Sequence, residues 1–145
     1  MGIFNKLLGG TDSAFSPEEA VLAVLFLVVA ADGEISEEEK DLFIATSNRM
    51  KLLQKQPPAE FNATIEKIRR SLDKHGFDSV LAKAATAVPV ELRDTVFALS
   101  ADLIFADGSV GEDETMFLEA VQSALQISDE LAIKIVEVLQ IKNKG

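Results

Sequence analysis

Asp32, Gly33, Ile35 and Glu39, within the stretch ADGEISEEEK, are spaced as positions five, six, eight and twelve of the loop in which helix–loop–helix proteins hold calcium. In such a loop position five supplies a side-chain oxygen, the Gly permits a sharp turn, the apolar residue packs inward and the Glu chelates with both oxygens. Asp107, Gly108, Val110 and Glu114 repeat the pattern in ADGSVGEDE. Both copies lack the front of the loop. Positions one and three would be Val28 and Ala30 in the first copy and Leu103 and Phe105 in the second, and none of these carries a side-chain oxygen. A hard divalent cation takes six to eight oxygens, so neither copy alone encloses one. Two copies brought face to face would supply four carboxylates, from Asp32, Glu39, Asp107 and Glu114. With corner carbonyls and water, that set suits calcium, magnesium or manganese better than zinc.

The same residues also have a purely structural reading. Ser36-x-x-Glu39 is a capping box, in which the Ser hydroxyl caps the helix and the Glu returns a hydrogen bond, together worth ~1 kcal/mol. Gly33 and Gly108 suit a left-handed helix end, and the acidic runs Glu37 to Glu39 and Glu112 to Glu114 complement the helix dipole. Gly111 stands where the first copy has Ser36, which predicts loss of the reciprocal box in the second copy while Asp107 and Glu114 remain. Both readings stay open at this level.

The elements that must position these residues are helices. Ser16, Pro17, Glu18 and Glu19 mark a helix start, followed by an apolar run that reaches Ala31 before Asp32-Gly33 breaks it. Ser36 opens a second helix to about Met50, with Leu42, Phe43 and Met50 expected on its inner face, and a polar KQPP loop follows. Phe61, Ile65, Ile68 and Leu72 form the stripe of a third helix, ended by His75-Gly76. A fourth covers about Asp78 to Ala87. After Val88-Pro89 a fifth, with Val96, Phe97, Leu99, Leu103 and Ile104, runs into Asp107-Gly108. A sixth (about Glu112 to Leu125) and a seventh (about Asp129 to Gln140) complete an all-α set with no period-two alternation.

Residues 28–45 and 103–120 align at an offset of 75. Ala31/Ala106, Asp32/Asp107, Gly33/Gly108, Glu37/Glu112, Glu39/Glu114 and Ala45/Ala120 are identical. The expected architecture is a compact bundle of about seven helices with two pseudo-symmetric helix-(Asp-Gly)-helix hairpins. Residues 16–145 form its single domain, and residues 1–15 are expected to be a flexible N-terminal segment with a small apolar cluster, Ile3, Phe4, Leu7 and Leu8.

Composition narrows the function. A net charge of −10, from 14 basic and 24 acidic residues, repels nucleic acid and anionic lipid, and attracts cations. The absence of Cys removes thiolate sites and disulfides, and one His leaves little scope for zinc. The longest apolar run, Val21 to Ala31, is too short to span a bilayer, which needs about 20 residues. No nucleophile with a base, phosphate loop or Glu-x-x-His pair is present, so no enzyme is expected. His75 is expected to satisfy carbonyls at a helix end, and Asp102, whose repeat counterpart is Leu27, to face solvent or to add an outer acid.

The paired ADG-x-I/V-x-E-x-E stretches, on a helical frame with an MGIFNK start, resemble the TerB family of tellurite-resistance proteins and their TerB-like relatives. The resemblance implies a cytoplasmic seven-helix or near-seven-helix fold with pseudo-twofold repeats. It implies a divalent-metal site to which Asp32, Glu39, Asp107 and Glu114 would correspond. It also implies a role in chemical-stress responses alongside membrane-bound Ter proteins. Any membrane link would then run through such a partner, at the inner membrane.

Overall fold

The computed structural model describes residues 14–30, 35–54, 56–106 and 110–144, and every regular element among them is helical. The α-helices are α1 (Pro17–Val29), α2 (Glu37–Arg49), α3 (Lys51–Gln54), α4 (Pro58–His75), α5 (Phe77–Ala87), α6 (Arg93–Phe105), α7 (Glu112–Leu125) and α8 (Asp129–Lys142). A 3₁₀ turn, Val90–Leu92, precedes α6. The seven long helices are those expected. The eighth is the single turn α3, which falls between the expected end of the second helix and the KQPP loop and buries Leu53.

Helix α1 is apolar around its whole circumference, and Ala20 through Val29 are all buried. A helix without a polar face must be enclosed on all sides. Helices α2, α4, α5 and α6 pack around it, while α7 and α8 pack on α6. Phe26, Phe43 and Phe61 form a ring series at centroid spacings of 6.1 and 6.0 Å, tying α1, α2 and α4 together. Phe77 and Phe117, 4.3 Å apart, join α5 to α7. Phe15, the last residue of the segment expected to be a tail, is 5% exposed and has Lys67 and Lys83 near its ring.

Leu42 departs from its expected place. It is exposed, and the inner face of α2 is Phe43, Thr46, Ser47 and the C-cap Met50. The i, i+3, i+4, i+7 spacing decides this, because Leu42 lies about 100° away from Phe43 on the helix. The buried Ser47 and Ser100 hydroxyls donate to the carbonyls of Phe43 and Val96, each at 2.8 Å, so neither leaves an orphan donor in the core.

Ser16 caps α1 with a reciprocal box. Its N–H donates to Glu19 Oε1 at 2.9 Å, and the Glu19 N–H donates to Ser16 Oγ at 3.2 Å. Lys67 Nζ reaches the same carboxylate at 2.9 Å from α4. Burial pushes the Glu19 carboxyl upward, but the Ser16 N–H, the Lys67 ammonium and the Ser16 hydroxyl outweigh it and hold the pKa below the ordinary value. A carboxyl with its pKa lowered by folding contributes stability above its unfolded pKa and loses it as the pH falls through the folded one. Glu19→Gln keeps a cap-accepting oxygen and loses the ion pair, at an expected cost of up to about 1 kcal/mol at neutral pH. Urea melts at descending pH should show the gap to wild type closing below about pH 4. A gap independent of pH would deny the pair this role.

Candidate functional site

Each acidic corner is entered by a buried helix and left by an acidic one. On the first, Ala30 closes α1 by donating its N–H to the Phe26 carbonyl at 2.9 Å. Ser36 then adopts extended backbone (φ −73°, ψ 163°), as an N-cap requires, and starts α2. The Ser36 N–H donates to Glu39 Oε1 at 3.1 Å, and the Glu39 N–H donates to Ser36 Oγ at 3.1 Å. The expected capping box is therefore present, and it turns the Glu39 carboxylate back toward the start of its helix.

The second corner keeps half of that device. Gly111 has no side chain to cap α7, yet its N–H still donates to Glu114 Oε1 at 3.1 Å. The reciprocal box is lost, as expected from Gly111, while its carboxylate half remains. The carboxylate half of the box needs only a backbone N–H from the N-cap residue, and Gly supplies that as well as Ser does. Glu39 and Glu114 consequently hold the same orientation at positions 75 residues apart.

Asp32 and Asp107, with Gly33 and Gly108, lie outside the described residues. The geometry that would bring the four carboxylates together therefore involves two residues that are described and two that are not. Among the described residues no group of three or more His, Asp or Glu side chains is placed to hold a metal ion.

Asp102, expected to face solvent or add an outer acid, is engaged by two side chains at the end of the chain's last helix. Its Oδ1 accepts from Lys142 Nζ and Asn143 Nδ2, each at 3.2 Å, and so clamps the end of α8 to α6. These partners are 40 and 41 residues distant in the chain, which is why local pattern reading misses them. His75 ends α4 beside a cavity of about 290 Å³ that it lines with Ser71, Ser79, Val80 and Lys83.

Two larger apolar grooves border the corners. The first, about 620 Å³, runs between α1, α2 and α4 and includes Ala30 and Ile35, the described neighbours of residues 31–34. Its charged lining residues are of both signs: Glu37, Lys40, Arg69 and Asp73. The second, about 380 Å³, lies between α6, α7 and α8 and includes Phe105 and Val110, on either side of the second corner. Sequence reading found neither groove. Carrying the offset of 75 beyond residue 45 into α4 and α8 would have pointed to both.

A central apolar helix enclosed by other helices defines an all-α domain. The chain belongs to the TerB family: residues 18–137 match the family described as Tellurite resistance protein TerB. No curated protein and no solved structure gives a significant match. No described helix is long and apolar enough to cross a membrane.

Proposed function

We propose that this TerB domain is a non-catalytic, cation-responsive protein of a tellurite or related chemical-stress response. In this reading Asp32 and Glu39 from one corner, and Asp107 and Glu114 from the other, share one divalent cation. Calcium, magnesium or manganese suits an all-oxygen set of this kind better than zinc. The supporting observation is that Glu39 and Glu114 are each held back over the N-cap of their own helix by the same hydrogen bond. Flanking acids add to the field: Glu37 and Glu38 in the first turn of α2, Glu112 and Asp113 in that of α7. Such crowding of like charge favours a bound cation over an empty corner.

Capping and metal binding both use these glutamates, so the test must separate them. Gln also serves in a capping box, so Glu39→Gln/Glu114→Gln retains both N-cap bonds while removing the two charges. Thermal melts with added calcium, magnesium, manganese or zinc should raise the Tm of wild type by mass action and move the double variant little. Equal shifts in both proteins would sink the shared site.

A second reading has its own observation. Ile133, Val138 and Ile141 are exposed apolar side chains on α8, which suits a domain that docks a partner. On that reading the protein is cytoplasmic and reaches the inner membrane only through a membrane-bound Ter protein.

A further inference from the structure

We propose that the groove between α7 and α8 is the docking site for an amphipathic helix of a partner protein that carries Lys or Arg beside its apolar stripe. This inference deepens the second reading above and does not depend on metal.

The lining has the period of a helix seat. Along α7 it is Thr115, Leu118, Glu119 and Gln122, and along α8 it is Ala132, Ile133, Val136, Glu137 and Gln140. The spacings are i, i+3, i+4, i+7 on one wall and i, i+1, i+4, i+5, i+8 on the other. Each wall therefore presents about two turns, or roughly 11 Å, which matches an i, i+3/i+4, i+7 stripe laid into the groove. Phe105, Val110 and Leu118 furnish its apolar surface.

Charge selects the occupant. Among the described residues, the charged ones lining this groove are Glu119 and Glu137. The nearby cations of α8 are engaged, Lys134 with Glu130 at 3.4 Å and Lys142 with Asp102 at 3.2 Å. An apolar stripe flanked by carboxylates repels anionic lipid headgroups and complements a basic helix. Of the large exposed apolar side chains on these two helices, Ile133, 57% exposed, lines the groove, while Met116, Val138 and Ile141 face away from it.

The first groove supplies an internal contrast. Eight lining positions of the second groove are those of the first advanced by 75, from Ala30/Phe105 and Ile35/Val110 through Phe61/Val136 and Ile65/Gln140. Ile44 of the first becomes Glu119 of the second, and Asn62 becomes Glu137. Corresponding positions with different charge imply different partners, since the mixed-sign lining offers a basic helix no net attraction.

The test titrates the full chain, in chelator, with a labelled Leu/Lys amphipathic peptide of about 18 residues and with its Leu/Glu counterpart. The basic peptide should bind, more weakly as salt rises, and the acidic one should not. Ile133→Lys/Glu137→Lys changes two exposed positions and should weaken binding about tenfold or more, while Ile44→Lys in the first groove should leave it unchanged. Equal binding of both peptides, or an unchanged Kd in the α8 variant, would overturn the proposal. So would a dimer in sedimentation that Ile133→Lys dissolves, which would assign the groove to a second copy. Movement of the α7 and α8 amide signals on Phe4→Asp without peptide would assign it to residues 1–13 and overturn it equally.

Discussion

Leu25→Ala is expected to destabilise the fold by about 2–5 kcal/mol, because Leu25 is fully buried in the helix against which α2, α4, α5 and α6 all pack. The loss has two parts, the transfer free energy of the removed methyl groups and the cavity they leave. Collapse into that cavity is hindered, since α1 is gripped by α2, α4, α5 and α6 together. At roughly 3 °C per kcal/mol for a domain of this size, Tm should fall by about 6–15 °C. With no Trp and no Tyr in the chain, far-ultraviolet circular dichroism in urea is the suitable probe. Ile133→Ala, on the exposed face of α8, should shift stability by no more than about 0.5 kcal/mol. Equal effects from the two substitutions would contradict the placement of α1 at the centre.

Gly76→Ala is expected to destabilise by about 1–2 kcal/mol through the backbone alone. Gly76 ends α4 and begins α5 in one residue, with its N–H donating to the Leu72 carbonyl at 2.9 Å. It does so at φ 83°, ψ 170°, a region closed to side-chain-bearing residues at a cost of about 1–3 kcal/mol. An added Cβ would meet nothing within 4 Å, so no packing clash contributes. The reduced entropy of the unfolded chain returns about 0.4–1 kcal/mol. Gly111→Ser is the matched control. Gly111 has ordinary extended backbone (φ −82°, ψ 174°), and a Cβ there would sit 3.8 Å from Glu114 Oε1. A Ser hydroxyl would complete the missing half of the capping box and stabilise by a few tenths of a kcal/mol, roughly. Opposite signs at the two glycines are the expected result in urea melts, and a neutral Gly76→Ala would deny the positive φ.

The legible parts of this protein are those whose causes lie within one or two helical turns. Ser16, Ser36 and the Glu three residues after each specify their caps by reaching adjacent backbone, and the capping bonds are found where the pattern puts them. The unbroken apolar run after Ala20 could only be a helix buried on every side. The single turn α3 escaped notice because four residues show no period. Leu42 was misplaced because two adjacent apolar residues do not reveal which one the inner face takes.

The chain's own sequence determined the all-α class, the long helices, the TerB family and the paired acidic corners. All of these rest on patterns legible along the chain: capping, helical period and the echo of residues 28–45 in residues 103–120. Only the tertiary structure decided which distant charges meet. Lys67 joins Glu19 across 48 residues, and Asp102 holds the end of α8 across 40 and 41. It also decided that Ile133 stays uncovered in a groove lined by Glu119 and Glu137, while the groove near α4 is lined by charges of both signs. The reason is physical. A cap is satisfied by atoms within reach of its own residue, whereas an ion pair or a groove exists only after separate helices have been packed to within a few ångströms of each other.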